Sequence, residues 1–289
     1  MPYLAIVSLI WAFSFGLIGR LAGVDSTFVA MVRLGLAGLV FLPFLRLAQV
    51  PAGSHLKLMG CGAVQFGLMY ISYIMAFQFV PAQSHLVALF SILTPLYVVL
   101  IHDLRQRQFH RKYLYAAFLA IAGAAVIKAE PGSMDSLWIA FALMQIAGLA
   151  FGFGQVWYRD WKRAHPEVND HRIFALPYCG GFLTAALASG LFTDWEKTTL
   201  SLSQMQILAY LGIVASGLGF FLWNKGAAHS RPGTLAAFNN AVVPLAMACS
   251  LFVFGEISEI DGVALSRLLL GTACIAGAVF LAEKTPRES

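Results

Sequence analysis

Charge is scarce in this chain of 289 residues. Charged residues make up 11% of the sequence, hydrophobic residues make up 59%, and the mean hydropathy is +0.75. An average soluble domain carries roughly 25% charged residues. No stretch between the apolar segments is long enough to form a separate soluble domain. The composition therefore excludes an ordinary soluble globule and predicts a protein that crosses a membrane several times.

Cysteine and histidine are too few and too scattered to form a chemical centre. The four cysteines lie in or beside apolar segments without a C-x-x-C spacing, so we expect packing rather than a disulfide framework or a metal site. The seven histidines lie in loops or near the ends of apolar segments, which argues against a serine hydrolase or a metal enzyme inside the membrane. We expect no enzyme activity, no cofactor and no metal.

Nucleotide-binding motifs are missing as well. The chain has no G-x-x-x-x-G-K-[ST] sequence, so it is not predicted to be an ATP-driven pump on its own. The formal net charge of +5 resides in short loops between apolar segments, which fits membrane orientation better than nucleic-acid binding. We expect the lipid bilayer and a small molecule as partners, and no nucleic acid.

Ten apolar segments are long enough to cross a bilayer, which takes about 20 residues. They cover residues 3–20, 27–45, 58–78, 82–101, 112–128, 136–158, 173–192, 205–224, 232–254 and 263–281. If the N-terminus is cytoplasmic, most of the 19 Lys and Arg residues fall on the cytoplasmic side, as the positive-inside rule requires. We therefore expect a multi-pass protein of the inner (plasma) membrane with both termini in the cytoplasm.

Two of these segments, 82–101 and 232–254, align without gaps and carry matching prolines, Pro95 and Pro244. A proline inside a helix removes a backbone hydrogen bond, so both segments are predicted to be kinked helices. The alignment divides the chain into two five-span repeats, residues 1–130 and 131–289, and the odd number of spans inverts the second repeat. The predicted fold is an all-α membrane protein with ten transmembrane helices, arranged as two inverted five-helix repeats around a central cavity.

Several short features are distributed in a characteristic order along nearly the whole chain. They are Trp11, the run FFLWNKGA at 220–227, the two prolines, the Gly-Glu pair at 255–256 and the Ala-Gly pairs at 122–123 and 276–277. In these features the sequence resembles the drug/metabolite transporter superfamily, specifically the ten-span EamA-type exporters. The resemblance implies export of amino acids and related metabolites through a cavity between the halves. Exporters of the YddG type, which include aromatic amino-acid exporters, are the most similar members.

Polar and aromatic side chains near the middle of the spans predict the substrate site, because lipid cannot satisfy them. The substrate-binding candidates are Trp11, Ser14, Tyr70, Ser91, Thr94, Gln145, Asn239 and Asn240. The candidate hinges are Pro95 and Pro244, and the candidate charge of the outer vestibule is Arg33. The alternative for each polar residue is a hydrogen bond between helices. The alternative for Arg33 is a structural pair or contact with the membrane surface.

Carboxylates are missing from the middle of the predicted spans, although the chain has 14 of them. Many proton-coupled transporters place an acidic relay there. We therefore predict that the protein exports amino acids by alternating access, with facilitated diffusion or weak coupling to protons. The alternatives are another metabolite, such as a nucleotide sugar or a drug, and a membrane protein that transports nothing. Five plus five spans make a monomer sufficient and leave a dimer open.

Overall fold

Every regular element in the described part of the chain is a helix. The computed structural model describes residues 2–21, 23–79, 87, 90–109, 111–127, 137–249, 253 and 262–283. The first six helices are α1 (Pro2–Gly19), α2 (Ser26–Phe41), α3 (Ser54–Gly62), α4 (Met69–Phe79), α5 (Thr94–Gln106) and α6 (Arg111–Ile127). The next six are α7 (Leu137–Ala164), α8 (Ala175–Phe192), α9 (Leu202–Tyr210), α10 (Gly219–Ala228), α11 (Pro232–Cys249) and α12 (Gly262–Glu283).

Two π-helices interrupt otherwise long helices. The first π-helix, Ala63–Leu68, joins α3 to α4. The second π-helix, Leu211–Leu218, joins α9 to α10. A π-helix inserts an extra residue into the helical turn, and such insertions recur at functional sites.

Six segments of the described residues are long and apolar enough to cross a membrane. They are Pro2–Gly19, Ser26–Phe44, Ser54–Phe79, Trp138–Ala164, Ala175–Phe192 and Leu202–Ala228. The other four predicted spans contain α5, α6, α11 and α12, which do not reach that combination of length and hydropathy within the described residues. Ten crossings and the inverted repeat therefore stay predictions. The predicted boundary between the repeats, at residues 130 and 131, lies outside the described residues.

The outer faces of the helices are apolar, and polar side chains lie in the interior. Leu39, Leu187 and Phe280 expose 61%, 66% and 61% of their surface, whereas Gln155 and Asn224 are fully buried. This arrangement reverses the pattern of a soluble protein and is expected where lipid surrounds the outer face. The polar groups are therefore found where helices meet one another.

The two π-helices pack against helices from the opposite half of the sequence. The first π-helix packs on α8, and the second packs on α2. Glycines permit both approaches, because a Cβ at Gly67 would lie 2.6 Å from the Thr184 Cβ on α8. A Cβ at Gly212 would likewise lie 2.7 Å from the Leu36 Cβ on α2. The two halves of the sequence are thus joined at both π-helices.

The two predicted hinge prolines occupy different positions. Pro244 lies inside α11, as predicted. Pro95 is instead the second residue of α5, directly after a 3-10 turn at Ser91–Leu93. A proline fits the first turn of a helix because its missing N–H would have no partner there. Within the described residues the first segment therefore breaks before Pro95, and most of its earlier part, 82–86 and 88–89, lies outside them.

Asp25 begins α2 and ties it to a second loop. Its carboxylate accepts hydrogen bonds from the backbone N–H groups of Thr27, Phe28 and Asp194, and from the Thr27 hydroxyl. Partial burial raises the pKa of this carboxyl, but the hydrogen bonds outweigh burial and hold the pKa of Asp25 below its usual value. The ionised form is therefore the one that stabilises the fold.

Replacing this cap should destabilise the protein in a pH-dependent way. We expect Asp25→Ala to cost about 1 kcal/mol, the typical value of an N-cap, and so to lower the Tm of the purified protein at pH 7. Because the pKa is lowered by folding, the contribution is complete above about pH 4 and is lost as the pH falls through the folded-state pKa. Thermal unfolding at pH 7 and pH 3 measures both effects.

The matched control for this change is Glu196→Ala, which removes an exposed carboxylate from the neighbouring loop. Equal Tm values for the two variants at pH 7 would contradict the capping role of Asp25.

Candidate functional site

Three polar side chains from different helices meet at the second π-helix. Arg33 on α2 donates from Nη2 to the Tyr70 hydroxyl at 2.7 Å and from Nε to the Ser216 Oγ at 3.3 Å. The Tyr70 and Ser216 oxygens lie 2.8 Å apart, and the guanidinium carbon lies 4.4 Å from the centroid of the Tyr70 ring. We call these three residues the arginine triad.

The guanidinium of the triad lies inside the protein. Only 2% of Arg33 is exposed, so the side chain turns toward Tyr70 and Ser216 and not toward the outer surface. The alternatives to a functional role for Arg33 were a structural pair and contact with the membrane surface. The buried position of the side chain does not agree with contact with the membrane surface. Placement of Arg33 toward the outer side of the membrane stays a prediction.

The arginine triad has no acidic member. Its two partners are neutral hydroxyls, Nη1 of Arg33 has no hydrogen-bond partner, and no carboxylate of the described residues forms an ion pair with it. Arg159 on α7 is equally buried but lies 3.2 Å from the carboxylate of Asp160. A buried charge without an opposite charge is costly, so Arg33 is a candidate ligand site and Arg159 is a structural ion pair.

Side chains from two other helices hold the second π-helix in place. The indole nitrogen of Trp11 on α1 donates to the Ala215 carbonyl at 2.9 Å. The hydroxyl of Tyr178 on α8 donates to the carbonyls of Ser216 and Gly217 at 2.8 and 2.6 Å. Three successive carbonyls of the π-helix are therefore bound from outside. These hydrogen bonds hold in place the segment that contains Ser216, the residue that faces Arg33.

A row of aromatic rings leads away from the triad. The Phe220 ring centroid lies 5.6 Å from that of Tyr70 and 5.1 Å from that of Trp11. Trp11 in turn lies 4.8 Å from Trp223 and 5.7 Å from Phe151. Rings at these separations attract one another, and Trp11 and Phe151 keep part of their surface exposed. We call these five residues the aromatic row.

A pair of amides lies at the far end of the aromatic row. Gln155 on α7 accepts a hydrogen bond from the Trp223 indole nitrogen at 2.9 Å. Its amide also exchanges two hydrogen bonds of 3.3 Å with the amide of Asn239 on α11. In this conformation the two amides satisfy each other, so they join α7 to α11.

The predicted substrate-binding residues fall in several places. Trp11 and Tyr70 meet at the second π-helix together with Arg33, and Asn239 lies in the amide pair. Gln145 is bound instead to the Tyr97 hydroxyl and to two backbone carbonyls, which is the helix-to-helix contact that the sequence left as the alternative.

The remaining candidates are held more locally. Ser14 donates to the Ile10 carbonyl of its own helix at 2.8 Å. Thr94 and Asn240 are buried, and Ser91 is half-buried. Their roles in substrate binding stay predictions.

Sequence reasoning missed Ser216 and Gln155 as site residues. One signal for Ser216 is present in the sequence. The pattern Gly-x-x-x-x-Gly-Leu ends both π-helices, once at Gly62–Leu68, which begins one residue before the first π-helix, and once at Gly212–Leu218 within the second. A comparison of these two segments marks Ser216 as a polar residue in a repeated irregular turn. Gln155 lies on a regular helix and carries no such signal.

Known proteins resemble this chain in sequence. The EamA-like transporter family matches residues 1–129. The biotin transporter of Salmonella typhimurium is 40% identical over 263 residues, which cover 89% of this chain and 85% of that protein. The chain belongs to the EamA-like transporter family. This EamA-family protein is accordingly a multi-pass membrane transporter, as the sequence predicted.

Other relatives of this EamA-family transporter carry similar names. The biotin transporter of Escherichia coli (strain K12) is 39% identical over 263 residues and matches 89% of this chain and 85% of its own length. The probable biotin transporter of Pseudomonas aeruginosa is 38% identical over 291 residues and matches 100% of this chain and 99% of its own length. The predicted narrower similarity to YddG-type amino-acid exporters has no support in these names.

The fold of this EamA-family transporter also has a match among solved structures. One crystal structure of a protein superimposes with a TM-score of 0.74 and covers 96% of both chains. The two sequences are 17% identical, so this likeness concerns the fold alone.

Loosening the second π-helix should destabilise the transporter. Tyr178→Phe removes the hydroxyl that donates to the Ser216 and Gly217 carbonyls, and the loss of a buried hydrogen bond costs about 0.5–1.5 kcal/mol. We therefore expect a clear fall in the Tm of the purified protein. Tyr115→Phe removes a hydroxyl from a side chain that is 60% exposed and serves as the control. A Tyr178→Phe protein as stable as the Tyr115→Phe protein would show that the π-helix does not depend on this hydroxyl.

Proposed function

We propose that this transporter carries biotin, or a closely similar small monocarboxylate, across the inner membrane. The observation that supports this best is the arginine triad, a buried cation whose partners in the described structure are neutral. Biotin carries one carboxylate and no cationic group at neutral pH, so it complements a single buried positive charge. Three relatives at 38–40% identity are named for biotin transport.

The carboxylate would bind the Nη1 edge of the Arg33 guanidinium, which has no hydrogen-bond partner among the described residues. Tyr70 and Ser216 orient the group through Nη2 and Nε, which leaves Nη1 for the substrate. Hydrogen bonds between a guanidinium and a carboxylate are strong and directional. Their attraction increases away from water, where the effective dielectric constant is low.

The apolar body of the substrate would lie along the aromatic row. Trp11 and Phe151 are the members with exposed surface, so they are the rings that an alkyl chain or a sulfur ring would contact. The cyclic urea of biotin has the donor and acceptor pattern of a side-chain amide. The Gln155–Asn239 pair offers the matching groups once the two amides separate. Ser14, Ser91, Thr94, Gln145 and Asn240 remain secondary candidates for the lining of the cavity.

An amino acid is the less favoured substrate of the same site. Its ammonium group requires an acceptor, preferably a carboxylate, close to the group that binds its own carboxylate. Among the described residues no carboxylate bonds to the arginine triad. Amino acids therefore serve as the comparison substrates in the test below.

The proposed mechanism is alternating access between two inverted five-helix repeats, residues 1–130 and 131–289. Ten spans would surround a central cavity, with bending near Pro95 and Pro244 and both termini in the cytoplasm. The crossed packing of the two π-helices supports two related halves. With no carboxylate predicted in the middle of a span, we propose facilitated diffusion in a monomer, so the substrate gradient sets the direction.

Uptake of labelled biotin into liposomes that contain the purified protein tests the proposal. We expect saturable uptake with or without a proton gradient. Arg33→Gln removes one partner of a buried charge pair, which is worth roughly 2 kcal/mol or more, so kcat/KM should fall at least about 30-fold. Arg33→Lys keeps the charge but loses the planar fork and should give a smaller loss.

The control is Arg46→Gln, which removes an exposed arginine and should leave biotin uptake unchanged. Normal uptake by a folded Arg33→Gln protein would rule out the arginine triad as the carboxylate site. Uptake of amino acids without uptake of biotin would return the assignment to the amino-acid exporters.

A further inference from the structure

The hydrogen bonds of the arginine triad use every hydroxyl proton in it. The Ser216 hydroxyl donates to the Leu211 carbonyl at 2.7 Å. The Tyr70 hydroxyl must then donate across the 2.8 Å contact to the Ser216 Oγ. Both oxygens also accept from Arg33. Three of the five guanidinium N–H groups therefore remain for a ligand, two on Nη1 and one on Nη2.

The charge of Arg33 needs compensation before any substrate arrives. Arg33 is 2% exposed, and its Nη1 has no hydrogen-bond partner among the described residues. An ionised group removed from water without an opposite charge is strongly unfavourable. The hydroxyls of Tyr70 and Ser216 orient the guanidinium without neutralising it.

We infer that a small monovalent inorganic anion, chloride being the abundant one, binds Nη1 of Arg33 in the substrate-free carrier and that the substrate carboxylate displaces it. A halide is a single-atom acceptor, so it can accept one Nη1 hydrogen and the remaining Nη2 hydrogen and requires no further donor. Sulfate or phosphate, with more charge and several oxygens, requires donors that the triad lacks. The displacement rests on the proposed function, whereas the halide site does not.

The first measurement is the Tm of the full-length purified protein without substrate. Chloride replaces methanesulfonate, a larger anion, at constant ionic strength. At about ten times its dissociation constant, chloride should raise the Tm by roughly 2–4 °C, and bromide should act similarly. Arg33→Gln should abolish the rise, whereas Arg46→Gln, which removes an exposed arginine, should retain it. A Tm that ignores chloride, or a rise that survives in Arg33→Gln, overturns the halide site.

The second measurement uses the unaltered protein, so it does not depend on the folding of a variant. If chloride and the biotin carboxylate share Nη1, chloride should raise the KM for biotin about twofold when it equals its own dissociation constant. The maximal rate should not change. A KM that is insensitive to chloride overturns the displacement and leaves biotin transport standing. An Arg33-dependent rise in Tm without biotin transport leaves the anion site standing and rejects biotin.

Discussion

An uncompensated positive charge in an apolar interior is the constraint on which the rest of this transporter depends. Arg33 is buried among helices whose outer faces are apolar, and it meets two hydroxyls and no carboxylate of the described residues. Such a charge is unfavourable in hydrocarbon by several kcal/mol. Under the proposed function, this charge binds the carboxylate of the substrate.

The second π-helix makes this placement possible. Three successive carbonyls of this segment accept hydrogen bonds from Trp11 and Tyr178. Helices from both halves of the sequence thus supply the donors that hold it. The same segment aims Ser216 at Arg33. The irregular turn therefore couples the position of α1 and α8 to the geometry of the buried cation.

The sequence was most informative about what the bilayer dictates. Composition and span length predicted a helical membrane protein, and the paired proline-containing segments and the family resemblance predicted a transporter. The family comparison confirms a membrane transporter. Tyr70 and Trp11 were selected because polar or aromatic groups at mid-depth need partners, and Arg33 was selected as a charge near the outer end of its span. All three contact the second π-helix. The substrate was not predictable in this way, because an arginine can bind the carboxylate of an amino acid as well as that of a substrate without an ammonium group.

Other parts of the site were beyond prediction for a physical reason. Mid-depth alone cannot distinguish a residue that lines a cavity from one that joins two helices, and Gln145 proved to bond Tyr97 and backbone carbonyls. Ser216 was missed because a serine can satisfy its hydroxyl within its own helix, as Ser14 does. Only the π-helical turn directs Ser216 outward to Arg33 as well.

Neutral partners around Arg33 suit a carrier better than an acidic partner would. A carboxylate fixed beside the guanidinium would compete with the substrate for the same donors, as Asp160 occupies Arg159. Hydroxyls hold the planar group in one orientation and leave its charge available. They also limit how tightly an anion binds, because two of the three nitrogens are already engaged. A carrier must release its substrate on the far side of the membrane. Moderate affinity at a pre-oriented cation therefore favours rapid release, whereas very tight binding would slow transport.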